Sequence, residues 1–522
     1  MSNRTRRELF SDVGRGMLAA GLGASLAADL GFGTAWADDE PSRLTFGKLD
    51  PLVDLIRTTA PEKIIPVAVE KLRNGTELKE LVAAAALANA RAFGGDDYVG
   101  FHTLMALAPA YQMSLAEPNA AQKPLAVLKV LHRNATRLKE VGPEREALKP
   151  VKASKLASDT RGGEQLRAAA RKADTDAAEA TFAAIASTGK PVDALNELLI
   201  EVDDATEVHR VVLVSRAWDL LRFVGPERAH TMLRQSVRYC VNIEKNPNQA
   251  KYNAGVRDLM PKLLDAHKLL APAAREARKA DDAWVRKFAE GVFAATAENA
   301  AEMVAAALAE GFAAEDIGAA LSIGANELIL RDEGRPKAWA QPNKPEGSVH
   351  GDSVGVHCCD TVHAWRMLAR AGDRRTQVTS LILAGYQVAR DRASRAEFTK
   401  WEPYPRAEHA KGVQSVSPDA LLKELDGAIS EKDQARAAAL TARIGAEAPT
   451  RADELFALLR GYAISEDGAL HAEKYFATAT DEYAAARPAF RGRQLVALAR
   501  VTASAHGYPA PGHKDACAAL KG

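Results

Sequence analysis

The sequence predicts an all-α fold built from helical hairpins, and three observations carry that prediction. Alanine is abundant while aromatic residues are only 6 % of the 522 residues, a composition that suits close-packed helices better than pleated sheets. Apolar residues recur at three- and four-residue intervals over long stretches, the period of a helix with one buried face. Runs of alternating β-branched residues are missing, and the Asn74-Gly75 pair falls between helical patterns rather than between strands. The bulk numbers narrow the class further. Hydrophobic residues at 47 % and charged residues at 26 % describe a globular chain. A net charge of +1 lacks the basic excess of a nucleic-acid binder. Four cysteines exclude a disulfide-dense scaffold.

In chain order, the first segment has paired arginines, Arg6 and Arg7, after Thr5, and a Gly/Ala/Leu-rich stretch from about Met17. It closes on the small-x-small pattern Ala35-Trp36-Ala37. This resembles a twin-arginine export signal over residues 1–37. The resemblance implies passage through the twin-arginine export machinery as a folded protein, and a periplasmic or otherwise exported location. The stretch is Gly-rich and broken by Asp29, and no later run approaches about 20 apolar residues, so no stable membrane span is expected after processing.

Four helical units are expected to follow: 38–165, 166–280, 281–400 and 401–522. Leu78 onward reads as an Ala-rich helix ending near Phe93-Gly94-Gly95, and 168–186 as a second such stretch. Residues 283–331 read as two or three helices, with Glu310-Gly311-Phe312 as a glycine stop. Three segments rich in Gly and Pro read as loops: 141–165, 332–356 and 401–418. The 332–356 loop is long for a compact domain, which marks it as functional or mobile.

Four segments share one layout, with a His opening a helix. They are Val99-Gly100-Phe101-His102, Glu207-Val208-His209, Val354-Gly355-Val356-His357 and Ala469-Leu470-His471. The continuation Ser215-Arg216-Ala217-Trp218 is also similar to His363-Ala364-Trp365-Arg366, with a one-residue offset. The uneven spacing argues for a diverged duplication rather than a fixed-period solenoid. The expected architecture is two pseudo-similar halves around a His-lined centre. Over 206–242 and 301–391 this layout resembles the questin oxidase-like family and related exported helical proteins, which implies oxidase activity. Cys358 and Cys359 stand where similar proteins often carry small hydroxyl residues.

Imidazole and thiolate are natural ligands for zinc, iron or copper. If the hairpins ring a common axis, His102, His209, His357 and His471 converge as ligands of one transition metal with an open coordination position. The richest local constellation runs from Val349 to His363 and includes His350, His357, Cys358, Cys359, Asp360 and His363. His357 and Asp360 share a helix face, whereas His363 lies about 240° round from His357 on ideal geometry. Asp360 and His363 are therefore assigned to proton transfer or to support of the ligands. Glu207, Asp203 and Asp204 beside His209 are either partners of its imidazole or a solvated helix end. Adjacent Cys358 and Cys359 rarely meet disulfide geometry without strain. Phosphate-loop, His-Glu-x-x-His, Gly-x-Ser-x-Gly and Cys-x-x-Cys motifs are missing. The reading that results is an exported metal- or cofactor-binding protein, an oxidoreductase rather than a hydrolase, acting on a small molecule. The competing reading is a non-catalytic helical repeat protein that binds a partner on its curved surface.

Overall fold

The computed structural model describes residues 43–271, 276–415 and 417–521, so the expected export signal at 1–37 lies outside the described residues. The described residues are all α, with isolated bridges such as Gln341–Lys344 and no β-strand among them. No described helix is long and apolar enough to cross a membrane. Contacts collect into two compact units. Unit 1 takes residues up to Ala108, Val130–Lys262 and Met367–Ser380, and unit 2 takes Pro109–Lys129, Leu263–Arg366 and residues from Leu381 on.

The helices of the first part of the chain are α1 (Asp50–Thr58), α2 (Pro61–Arg73), α3 (Leu78–Phe93), α4 (Tyr98–Ala116) and α5 (Leu125–Val141). They continue with α6 (Gly162–Arg171), α7 (Thr175–Thr188), α8 (Pro191–Val202), α9 (Val208–Val224), α10 (Ala229–Glu244) and α11 (Pro247–Ala266). In unit 1, α1 packs on α3, α3 packs on α9 and α10, and α7, α8 and α9 all pack on α10. Helix α3 opens on a capping box, with Glu80 accepting from the Glu77 amide at 2.9 Å. Every residue from Leu81 to Phe93 is buried, and its many alanines let neighbouring backbones come close. Gly94 then ends the helix in the left-handed region, as a glycine stop should. The 168–186 stretch is not continuous. Asp174 caps a new helix by accepting from the Ala177 amide, and Ala173 takes a positive φ of 57° to make the turn.

The second part comprises α12 (Asp282–Ala294), α13 (Ala297–Ala309), α14 (Ala314–Arg331), α15 (Val354–Ala371), α16 (Arg374–Ala393) and the short α17 (Ala407–Lys411). Then come α18 (Pro418–Ser430), α19 (Gln434–Glu447), α20 (Ala452–Ser465), α21 (His471–Ala485), α22 (Arg491–Ala505) and α23 (His513–Lys521). Residues 283–331 thus form three helices, and Gly311 makes the turn between the last two at φ 83°. In unit 2, α12 packs on α14, α14 packs on α22, and α19, α20 and α21 all pack on α22. The loop before α15 is tied down by Asp352, which accepts from Arg335 at 2.7 Å and from Lys344 at 2.6 Å.

Buried charge organises the interior of unit 1. Arg210 is buried and donates to the Val202 carbonyl at 3.1 Å and to Glu244 at 3.2 Å. Arg257 meets the same Glu244 at 2.6 Å. Glu201 lies among them at 0 % exposure, and neither carboxylate oxygen has a hydrogen-bond partner among the described residues. Burial pushes its carboxyl well above the ordinary value, against the pull of Arg210. The folded chain therefore keeps a proton that the unfolded chain releases above about pH 4.5, and stability falls as pH rises toward the raised value. Replacing Glu201 with Met should raise the unfolding free energy by about 1–3 kcal/mol near pH 8, and the gain should shrink toward pH 4.5. Urea unfolding of both proteins at several pH values checks this. A gain independent of pH would contradict it.

Candidate functional site

The two histidines of unit 1 stand at helix starts held by carboxylates. Before α4, Asp97 accepts from the Gly100 amide at 2.8 Å and from Arg137 at 2.7 and 2.9 Å. That clamp sets the first turn, from which His102 projects. Its Nδ1 lies 2.7 Å from the Tyr98 carbonyl. A carbonyl only accepts, so Nδ1 carries the proton and Nε2 carries the lone pair in the neutral ring. At the start of α9, Glu207 is the cap. One of its oxygens accepts from the Arg210 amide at 2.9 Å and from the Tyr239 hydroxyl at 2.8 Å, and the other lies 2.7 Å from His209 Nδ1. Burial opposes ionisation of Glu207, but the hydrogen bonds from His209, the backbone and Tyr239 outweigh it and hold the carboxyl at about 2. An ionised Glu207 makes His209 Nδ1 the donor and places the lone pair of the neutral ring on Nε2. The two rings lie 4.9 Å apart between centroids, with Phe101 against both.

Unit 2 pairs the other two. His357 Nε2 and His471 Nε2 are 3.2 Å apart, with ring centroids at 5.3 Å. Two features of the chain bring His471 there. Gly351 packs directly on it, since a Cβ at Gly351 would fall 2.3 Å from the His471 Cβ. Gly468, Ala469 and Leu470 are three consecutive left-handed residues, with φ of 50°, 48° and 65°. For Ala and Leu that conformation costs about 1–2 kcal/mol each, and such strain collects where a site demands it. A narrow, mostly apolar pocket lies alongside, lined by Gly351, Gly468, Ala472, Tyr475 and Glu466 among others.

The four histidines read from the sequence are thus brought together two and two, His102 with His209 and His357 with His471. Among the described residues, no group of three or more His, Cys, Asp or Glu side chains is spaced to hold a metal ion. Asp360 is buried on α15 and accepts from Thr478 at 2.7 Å. His363 turns to α21, where its Nδ1 lies 2.8 Å from Glu482 and its Nε2 3.4 Å from Asp481. Arg366 makes a close ion pair with the same Glu482. Cys358 and Cys359 are buried free thiols whose burial pushes their pKa well up, so they are inert packing residues. Cys240 and Cys517 are free as well.

Asp203 and Asp204 correct one expectation. They are not a solvated helix end: both are under 5 % exposed, Asp203 meeting Arg375 at 2.8 Å and Asp204 meeting Arg171 at 2.6 Å. The sequence reading also missed Glu482. It lies 119 residues from His363, and only the packing of α15 on α21 joins them. Its signal was an Asp481-Glu482 pair near the end of an Ala-rich helix.

Glu482 gives a test. Burial disfavours its charge, but Arg366 and His363 outweigh that and hold the carboxyl far below the usual range. Its contribution to stability is therefore present above about pH 4.5 and lost as pH falls below that. Glu482→Gln leaves Arg366 buried with a neutral partner, and a loss of about 3–5 kcal/mol at pH 7 is expected. The gap to the parent protein should close on acidification in thermal unfolding between pH 3 and 7. An equal gap throughout would assign the loss to packing alone.

Set beside this geometry, no family model, no curated protein and no solved structure matches the chain.

Proposed function

We propose that the protein is an exported metalloprotein, in which paired histidines at helix starts hold a transition metal ion, and that it works as an oxidoreductase. The carrying observation is the 3.2 Å approach of His357 Nε2 to His471 Nε2. Imidazole nitrogens bound to one tetrahedral zinc at about 2.0–2.1 Å stand roughly 3.3 Å from each other, so the pair needs little movement to share an ion. Both histidines of unit 1 have Nδ1 engaged, His209 by a carboxylate. That is the support a metal-bound imidazole normally has. Zinc, iron and copper all accept imidazole, and iron or copper supplies redox chemistry. The order of helices supports a tandem duplication. α3, α7 and α9 pack on α10 in unit 1, and α1 on α3, as α14, α19 and α21 pack on α22 in unit 2, and α12 on α14, whereas the packing of α3 on α9 has no counterpart of that extent between α14 and α21. The paired arginines, Arg6 and Arg7, support export of an already folded chain.

Metal titration of the full chain tests the reading. Cobalt(II) should bind with the ligand-field absorption of nitrogen coordination. His357→Ala and His471→Ala should each weaken zinc(II) by about tenfold or more. Gly351→Ala should weaken it too, because the added methyl drives His471 away. His267→Ala, paired with Glu302 elsewhere in unit 2, should change nothing. Absence of binding, or binding that survives all three site variants, would overturn the proposal.

A further inference from the structure

His471 opens α21 directly after the left-handed run Gly468-Ala469-Leu470, and a buried lysine reaches across that run. Lys129 stands near the start of α5, within unit 2, and is 3 % exposed. Its Nζ donates to the Ala463 carbonyl at 2.9 Å and to the Glu466 carbonyl, and it pairs with Glu473 Oε1 at 2.7 Å. Ala463 is in the last turn of α20 and Glu466 is the residue that closes it, whereas Glu473 is in the first turn of α21. An ammonium has three donors, and these three acceptors use them all.

The two helix ends favour this placement. The last carbonyls of α20 are the negative end of its dipole and attract a cation, and the first turn of α21 is a positive end that suits a carboxylate. Burial works the other way. Glu473 is fully buried, and taking both charges out of water costs about what their attraction returns, so two apolar side chains would serve stability as well. Apolar side chains could not, however, link the carbonyls that end α20 to the turn that opens α21. That link spans the strained run. The entry of the run is held besides by the segment 508–510. The Asp467 amide donates to the Tyr508 carbonyl at 2.8 Å, the Tyr508 amide to the Glu466 carboxylate at 2.6 Å, and the Ala510 amide to the Ser465 carbonyl at 2.8 Å. Its exit is tied to Lys129 through Glu473, two residues after His471. Left-handed Ala469 and Leu470 relax wherever nothing holds them.

We propose that Lys129 is a positioning residue for the histidine pair. By holding both ends of the 466–473 turn on one ammonium, it keeps Ala469 and Leu470 left-handed and sets His471 Nε2 3.2 Å from His357 Nε2. This role bears on function only if that contact is the site proposed above. The contact itself belongs to the metal-free chain, and there it can be measured without any metal.

Magnetic coupling between ring nitrogens across a hydrogen bond reads the contact in the metal-free full chain labelled with heavy-nitrogen histidine, and His357→Gln and His471→Gln assign the signal. The parent protein should show the coupling at neutral pH. Lys129→Met combined with Glu473→Met removes the clamp without leaving a lone buried charge, and the coupling should disappear. Glu473→Leu, in which Lys129 keeps both carbonyl acceptors, should lose it as well and carries the test if the double variant fails to fold. Glu473→Gln keeps an oxygen for Lys129 and should keep the coupling, even though a buried ammonium with a neutral partner makes it unfold more readily. Contact and stability thus separate. Coupling that persists in the folded double variant or in Glu473→Leu would overturn the role of Lys129. So would its absence from the parent protein, or its loss in folded Glu473→Gln. Where zinc(II) binds the parent protein, its affinity should fall about tenfold in the double variant and less than about threefold in Glu473→Gln. A parent protein that shows the full coupling pattern but takes no zinc(II) leaves this role standing and overturns the metal reading alone.

Discussion

Two imidazole nitrogens 3.2 Å apart cannot both carry a proton, and the functional reading depends on that constraint. Two N–H groups facing each other repel, and two cationic rings repel more. The His357–His471 contact is a hydrogen bond when one of the two nitrogens carries the proton and the other the lone pair. Everything nearby serves to enforce the approach. Gly351 gives up its side chain so that His471 can come close. The left-handed turn at Ala469 and Leu470 costs energy that packing elsewhere must supply. A chain selected only for stability would relax both. Both costs fall beside the same imidazole, His471.

The unit 1 pair shows how differently the same layout can be finished. His102 and His209 each have Nδ1 engaged, one by a carbonyl and one by Glu207, and aromatic rings close round them. No strained turn precedes His209. The backbone runs into α9 from Asp203 with a regular cap. Unit 1 spends its buried polarity on arginine–carboxylate clusters instead, at Asp203, Asp204 and Glu244. Such clusters add little net stability but tolerate few alternative packings, because any slip leaves a charge unpaired.

The helical class was legible because its signal is local. Alanine content and three-to-four periodicity are set within each helix, so α3 and the three helices of 283–331 follow from short windows. The break at Ala173 did not show, because a positive φ at alanine has no compositional mark. Histidines at helix starts were visible as a repeated phrase, since position relative to a cap is also local. Their sorting into pairs was not, because which imidazole faces which is decided by contacts between segments more than 100 residues apart. The same holds for Glu482. A charge reads as surface until a partner such as Arg366 is folded against it.

The directionality of polar groups in unit 2 shows what distant contacts add. Asn326, Gln494 and Ser322 are unremarkable in sequence, three amide or hydroxyl residues on two amphipathic helices. Packed together they form a wire whose polarity is dictated by one ionised carboxylate. An amide has both a donor and an acceptor, and fixing one end of such a chain fixes every orientation along it. The carboxylate itself is ionised only because Arg366 and His363 outweigh its burial. The orientation of these side chains is therefore tied to the ion pair that Glu482 makes with Arg366. It would invert if Glu482 became neutral and donated. That polarity is a property of the whole network, and no single side chain in it carries it alone.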